Sequence, residues 1–213
     1  MNPYKTISES AVAEQIIERS RFIAYATPVT STEDCEFFFE SIRKKHRDAT
    51  HNVPAYVIGD KMQLQWAGDD GEPRGTSGAP ILHMLTSEGI SDVAIMVTRY
   101  FGGTKLGTGG LVRAYTGSAR MAIDAAGLAK MCEQLIINCT MDYNNYNKVE
   151  GYPEKMFSIE EATFTDKVSL NIALEPTDRE PVIALFSSIA PSAKIESERI
   201  NVIKVPMTKE EKK

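Results

Sequence analysis

Close spacing of cysteines is missing: Cys35, Cys132 and Cys139 form no CxxC or other paired pattern. That leaves no basis for a zinc knuckle or a disulfide framework and suits reduced thiols in a cytosol. No apolar run approaches the roughly 20 residues that a membrane helix needs. Residues 1–12 are polar, with no basic segment ahead of an apolar one, so no membrane span or export signal is expected and the location expected is cytoplasmic. Excess positive charge is lacking too. At a formal net charge of −5 the chain has no global attraction for nucleic acid or anionic lipid, and either partner would need a local patch. GxxxxGK[ST], an in-register GxGxxG and the GxSxG elbow are absent, which withdraws motif support for a P-loop, a dinucleotide fold and a serine hydrolase. There is no internal repeat and no long low-complexity tract.

What is present is enough apolar residue, 42% of 213, to fill the cores of two domains. Residues 22–29 read as a strand. Ser31 and Thr32, followed by Glu33 and Asp34, read as a helix start, with Cys35, Phe38 and Ile42 as the buried stripe and Arg43, Lys44 and Lys45 complementing the dipole at its end. Residues 55–58 and 63–66 flank Gly59-Asp60-Lys61, a hairpin pattern. Pro80 suits the first turn of a helix carrying Ile81, Leu82 and Leu85. Residues 93–98 form a continuous apolar run, as in a strand central to its sheet or covered on both faces. Val112, Tyr115, Ala119, Ala122 and Ala126 then recur at helical spacing over 111–126, with Gly127 as the stop. The stretch through Lys130 and Glu133 is expected to be a linker. Beyond it come a strand (134–141), a helix (143–155) weakened by Asn144, Asn145, Asn147, Gly151 and Pro153, strands (157–165, 168–174), a helix (179–189) and a strand (194–205). This βαββαβ order is that of a ferredoxin-like sandwich. The tail 209–213 is charged and expected to fray.

Two segments have compositions that core packing does not explain. Asp69-Asp70-Gly71-Glu72-Pro73-Arg74-Gly75-Thr76-Ser77-Gly78 sets three carboxylates among three glycines just before a helix. It is either an irregular turn with solvated acids or a site loop. In the second case Asp70 and Glu72 would hold a hydrated Mg²⁺ or accept hydrogen bonds from a basic partner, while Gly75 to Gly78, Thr76 and Ser77 included, bring backbone N–H groups to a helix start. Both alternatives place the loop in solvent. Arg99-Tyr100-Phe101-Gly102-Gly103-Thr104-Lys105-Leu106-Gly107-Thr108-Gly109-Gly110 ends a buried strand and leads into a helix, with five glycines in nine residues. Such a loop at a helix N-terminus suits an anion. Residues 93–123 hold Arg99, Lys105, Arg113 and Arg120 and no acid. Four cations with Tyr100 or Phe101 for stacking make a modest nucleic-acid footprint. The competing outcome is that Arg99 and Arg113 pair with Asp69, Asp70 or Glu72 and stiffen the surface. His46 and His51 flank Asp48, but no third strong ligand follows from the spacing, and hydrogen-bonded histidines are commoner than metal ligands. His83 reads as a helix-face residue and Ser77 has no nameable base. No metal, cofactor or catalytic residue is assigned.

The segments from Asp69, DDGEPRGTSGAPIL, and from Val97, VTRYFGGTKLGTGGLVRAY, resemble the paired signatures of the YigZ/IMPACT family. The resemblance covers residues 1–130, and 134–207 is similar to the small C-terminal domain of bacterial members. It implies an α+β protein: an α/β sandwich like domain 2 of ribosomal protein S5, then a ferredoxin-like domain like the fifth domain of elongation factor G. Site expectations pass to Asp70, Gly71, Glu72, Pro73, Gly75, Thr76 and Gly78, then to Arg99, Tyr100, Phe101, Gly102, Gly103, Lys105, Leu106, Gly107, Gly109, Gly110, Leu111, Arg113 and Tyr115. Ser77 and Thr108 stand where the family pattern has alanine, each adding a hydroxyl. Eukaryotic IMPACT proteins act in starvation control of translation through a ribosome-associated activator of a kinase, a pathway bacteria lack. The implied role is therefore binding of RNA or a ribosome-associated protein, with two alternatives: a metal-assisted enzyme on a phosphate ester or nucleotide, and a purely protein-binding regulator. Oligomeric state is not indicated.

Overall fold

The computed structural model describes residues 3–152 and 156–208. They group into two compact units, one running to Met131 and taking in the residues from Lys204 onward, the other spanning Cys132–Ile203. Among the described residues there are two sheets and five α-helices, and no helix is long and apolar enough to cross a membrane.

In the first unit β1 (Tyr4–Ile7) precedes β2 (Ala11–Ile17), β3 (Ser20–Pro28), α1 (Thr32–Lys45), β4 (His51–Ile58), β5 (Leu64–Ala67), α2 (Gly78–Ser87), β6 (Val93–Tyr100) and α3 (Gly107–Ala126). Strands pair antiparallel in the order β2-β3-β6-β4-β5. The apolar run of β6 is explained by its central place. Val93, Ile95 and Val97 join the core under α2 and α3, while Ala94 and Met96 join the core under α1. Arg99 continues the first row and Tyr100 the second, because successive strand residues face opposite sides.

Local chemistry sets most boundaries. Ser31 and Asp34 form a capping box at the start of α1, closing two N–H groups that a helix start leaves open. The buried stripe of α1 is Cys35, Phe39 and Ile42, not the expected Cys35, Phe38 and Ile42; Phe38 is only half-buried. β4 begins at His51, four residues before the expected start. Pro54 falls within it, where β5 has not yet joined, so its missing N–H is tolerated. β1 and β2 were not legible in the sequence. In β2 the residues packed toward the core are small ones, Ala11 and Ala13 with Ile17, whereas Val12 and Ile16 lie exposed, which inverts the usual alternation.

The stretch through Lys130 and Glu133 is not a linker: it belongs to β7 (Leu128–Met141), whose first residues pair with β1. β7 leads through α4 (Tyr143–Glu150), β8 (Ser158–Phe164), β9 (Val168–Leu174), a single 3-10 turn (Pro176–Asp178) and α5 (Arg179–Ile189) to β10 (Lys194–Pro206). Here β7 lies between β9 and β10, and β8 pairs with β9. The core of this second unit is built from Ile137, Leu170, Val182 and Phe186 among others. α4 forms despite its asparagines because Asp142 caps it through the Asn145 N–H and buried Asn145 is held by Ser192. α4 ends at Glu150 with Gly151 as its C-cap, short of the expected 155; residues 153–155 of that span and the tail 209–213 lie outside the described residues.

Candidate functional site

The two singled-out segments meet, but through a buried contact. Arg99 stands opposite Phe22 on β3 and His51 on β4, and it is 5% exposed while Glu72 is 7% exposed. One oxygen of Glu72, Oε1, accepts from Arg99 Nη1 at 2.7 Å and from the Tyr115 hydroxyl at 2.7 Å, with His51 Nε2 at 3.8 Å. Arg99 Nη2 donates to Ser20 Oγ at 3.3 Å, which also accepts the Gly102 N–H at 3.2 Å. The guanidinium lies over Phe22 and Phe101, 5.4 and 5.3 Å from the ring centroids. Its Nε has no hydrogen-bond partner among the described residues. Burial, then the bond to Glu72, push the Tyr115 hydroxyl pKa well up, keeping it a donor. Of the outcomes open in the sequence, ion pairing holds for Arg99, and Glu72 is not the solvated acid expected.

The rest of the acidic loop organises backbone. Asp69 accepts from the N–H groups of Gly75 at 2.8 Å, Ser77 at 3.3 Å and Gly78 at 3.0 Å, and from Ser77 Oγ at 2.7 Å. Burial pushes its pKa up, but these hydrogen bonds outweigh burial and hold it below the ordinary carboxylate range. The carboxylate thus fills the N-terminal pocket of α2, where a helix offers unpaired donors. Ser77 is at the cap position but makes no side-chain cap itself. Thr76, Ser77 and Gly78 are buried, another departure from an exposed loop. Asp70 takes the Asn52 N–H on Oδ2 at 2.5 Å, and its carbonyl accepts from His51 Nδ1 at 2.8 Å. Asp70 and Glu72 are therefore engaged with protein groups, Glu72 with Arg99 and Tyr115 and Asp70 with Asn52.

The glycine segment divides in two. A Cβ on Gly102 would come within 2.0 Å of the Arg19 carbonyl oxygen, so this glycine serves a close approach of the chain to itself. From Gly103 onward the segment opens to solvent: Gly103, Lys105, Gly107, Gly109 and Arg113 are exposed and Gly110 is half-buried. α3 begins at Gly107, four residues ahead of expectation, since Gly107, Gly109 and Gly110 are poor helix formers that the sequence suggests as loop. No side chain caps this helix start, and its first turn holds no acid. Lys105 and Arg113 line a cleft of about 480 Å³ together with Glu18 from the β2–β3 turn. Neither is in an ion pair among the described residues. Arg120 does not join them. It pairs with Glu88 beyond the end of α2.

Tyr100 turns to the other face of the sheet. Its hydroxyl meets His46 Nδ1 at 2.8 Å and donates to Asp48 at 3.1 Å, while His46 Nε2 meets the Tyr25 hydroxyl at 2.6 Å. Burial first, then Lys45, lowers the His46 pKa. Both ring nitrogens of His46 are thus occupied, whereas His51 uses Nδ1 for the Asp70 carbonyl and turns Nε2 toward Glu72. Ser20, Phe22 and His51 were missed as members of the Glu72 cluster, since nothing local in their segments distinguishes them.

With this geometry in view, comparison with known proteins is specific. The chain matches the Impact N-terminal domain over residues 18–123 and a domain of unknown function, DUF1949, over 139–190. It belongs to the IMPACT family. It is similar to the IMPACT family member YvyE of Bacillus subtilis, 38% identical across 82% of this chain and 81% of the relative. It is 44% identical to YigZ of Escherichia coli over 50% of this chain and 53% of that protein. A crystal structure of a hypothetical protein shares the architecture over 98% of this chain and 99% of its own, at 26% identity and a TM-score of 0.60.

Proposed function

We propose that the protein is a non-enzymatic, translation-linked binding protein whose N-terminal domain contacts RNA or a ribosome-associated complex. The observation that carries this reading is the conjunction of Lys105 and Arg113, both exposed and without ion-pair partners among the described residues, beside an uncapped, acid-free start of α3. Oriented peptide N–H groups and two free cations suit a phosphodiester, and Phe101, 46% exposed, offers a ring for stacking. Arg99, Glu72 and Tyr115 tie the end of β6 and α3, which flank these groups, to the acidic loop that Asp69 and Asp70 order. Family membership supports the link to translation. The βαββαβ order with β7 between β9 and β10 supports a ferredoxin-like C-terminal domain over 134–207 resembling the fifth domain of elongation factor G. An N-terminal domain over 1–130 resembling domain 2 of ribosomal protein S5 is proposed on the strength of family membership. The cytoplasm is the proposed location. Engagement of Asp70 and Glu72 within the protein disfavours the metal-assisted enzyme.

The test is fluorescence anisotropy with a labelled single-stranded RNA at low salt, comparing the wild type with the double variant Lys105→Ala, Arg113→Ala. Saturable binding that weakens at least about tenfold in the variant is expected. Absence of binding at low salt, or equal affinity of both proteins, would reject RNA contact through this surface.

A further inference from the structure

On the opposite face of the N-terminal sheet, between α1 and the β4–β5 hairpin, lies a cleft of about 330 Å³ lined by Phe39, Tyr56 and Trp66 together with Glu36, Glu40 and Arg43. Tyr56 and Trp66 are cross-strand neighbours, their ring centroids 6.0 Å apart, and Phe39 closes the third side 6.4 Å from Trp66. Phe39 is buried, whereas Trp66 is 46% exposed. Its exposure is not a requirement of packing, because an exposed tryptophan gives up much of the apolar burial it could contribute. At the cleft wall Glu40 is paired with Lys44 at 3.3 Å, while Glu36 is in no ion pair among the described residues and is the carboxylate left to attract a cation. Aromatic faces carry negative potential and attract cations, the more so when carboxylates share the site. Among the described residues, the cation–ring contacts are made on Tyr100, Tyr25, Phe22 and Phe101, so no cation of the described chain covers Tyr56 or Trp66.

The cleft also opens at an edge. β5 is the last strand of its sheet, with β4 as its one paired neighbour among the described residues. Its outer backbone groups are available to an added strand. We propose that this cleft receives the guanidinium of an arginine from an extended basic segment of a partner protein lying along β5. The unpaired carboxylate of Glu36 and the free edge together favour a basic peptide over a nucleic acid, whose phosphates Glu36 would repel. The proposal is independent of RNA contact at Lys105 and Arg113.

Trp66 is the only tryptophan in the chain, so its fluorescence reports on this site alone. The full-length protein would be titrated with a blocked heptapeptide of alternating threonine and valine around a central arginine, and with the same peptide carrying neutral citrulline. A saturable change for the arginine peptide, at least about tenfold weaker for citrulline, is expected. The same loss is expected in the variant Glu36→Gln, Glu40→Gln, which retains Trp66 and whose fold is checked by circular dichroism. Calorimetry with Trp66→Ala should show a comparable loss. No saturable change, equal affinity for citrulline, an unaffected carboxylate variant, or free argininamide binding as tightly as the peptide would each overturn the proposal.

Discussion

Glu72 collects an arginine, a tyrosine hydroxyl and a nearby histidine around one carboxylate that water scarcely reaches. A buried ion pair of this kind adds little over a well-packed apolar pair, but loss of one partner strands the other charge. Glu72→Ala is therefore expected to cost about 3–5 kcal/mol in urea unfolding, leaving Arg99 uncompensated beneath Phe101. Tyr115→Phe removes a single hydrogen bond to a charged group and should cost about 1.5–3 kcal/mol. If both variants unfold at the wild-type urea midpoint, the cluster has no structural weight. Arg99 and Glu72 stood out in the sequence by composition and by the family signature, and their pairing was one of the outcomes left open. Their burial was not legible, because a charged side chain in a glycine-rich stretch carries no local mark of whether a partner arrives from 27 positions away.

At the scale of elements, helix starts are managed in opposite ways. α2 has its N-terminus filled by Asp69, while α3 has its N-terminus left open beside Lys105. The lowered pKa of Asp69 makes its stabilisation of the native state complete above the ordinary carboxylate pKa, and it is lost as pH falls through the lower native value. The stability difference between wild type and Asp69→Asn should accordingly shrink on acidification, read from urea midpoints across an acid pH series. A gap that stays constant into acid would mean that the Asp69 charge does not hold α2. Gly102→Ala is expected to destabilise by more than about 1 kcal/mol, since its methyl group would press on the Arg19 carbonyl; thermal melting of the variant checks this. α1 was readable in advance because its cap and most of its stripe are local. The start of α3 was not, because three glycines oppose helix there and tertiary packing of Leu111, Ala114 and Tyr115 overrides them.

For the whole molecule, the net charge and the charge at the proposed RNA-binding surface differ in sign. A chain at −5 presents two unpaired cations at one helix start, so RNA affinity should fall with salt. Removing Lys105 and Arg113 should flatten the slope of log affinity against log salt by about 0.7 for each phosphate that the two side chains neutralise. Anisotropy at several salt concentrations measures it, and an unchanged slope would place any RNA elsewhere. By itself the sequence determined the element order from β3 onward, the βαββαβ succession of the C-terminal half, and which two segments carry the family signature. Those follow from periodicity, caps and glycine placement, which act within a few residues. Tertiary structure alone decided that Glu72 and Arg99 are sealed together, that Arg120 goes to Glu88, that Lys105 and Arg113 remain free, and that Tyr56 and Trp66 face Phe39 across a cleft. Burial and pairing depend on what the rest of the chain brings alongside, over separations that no local pattern encodes.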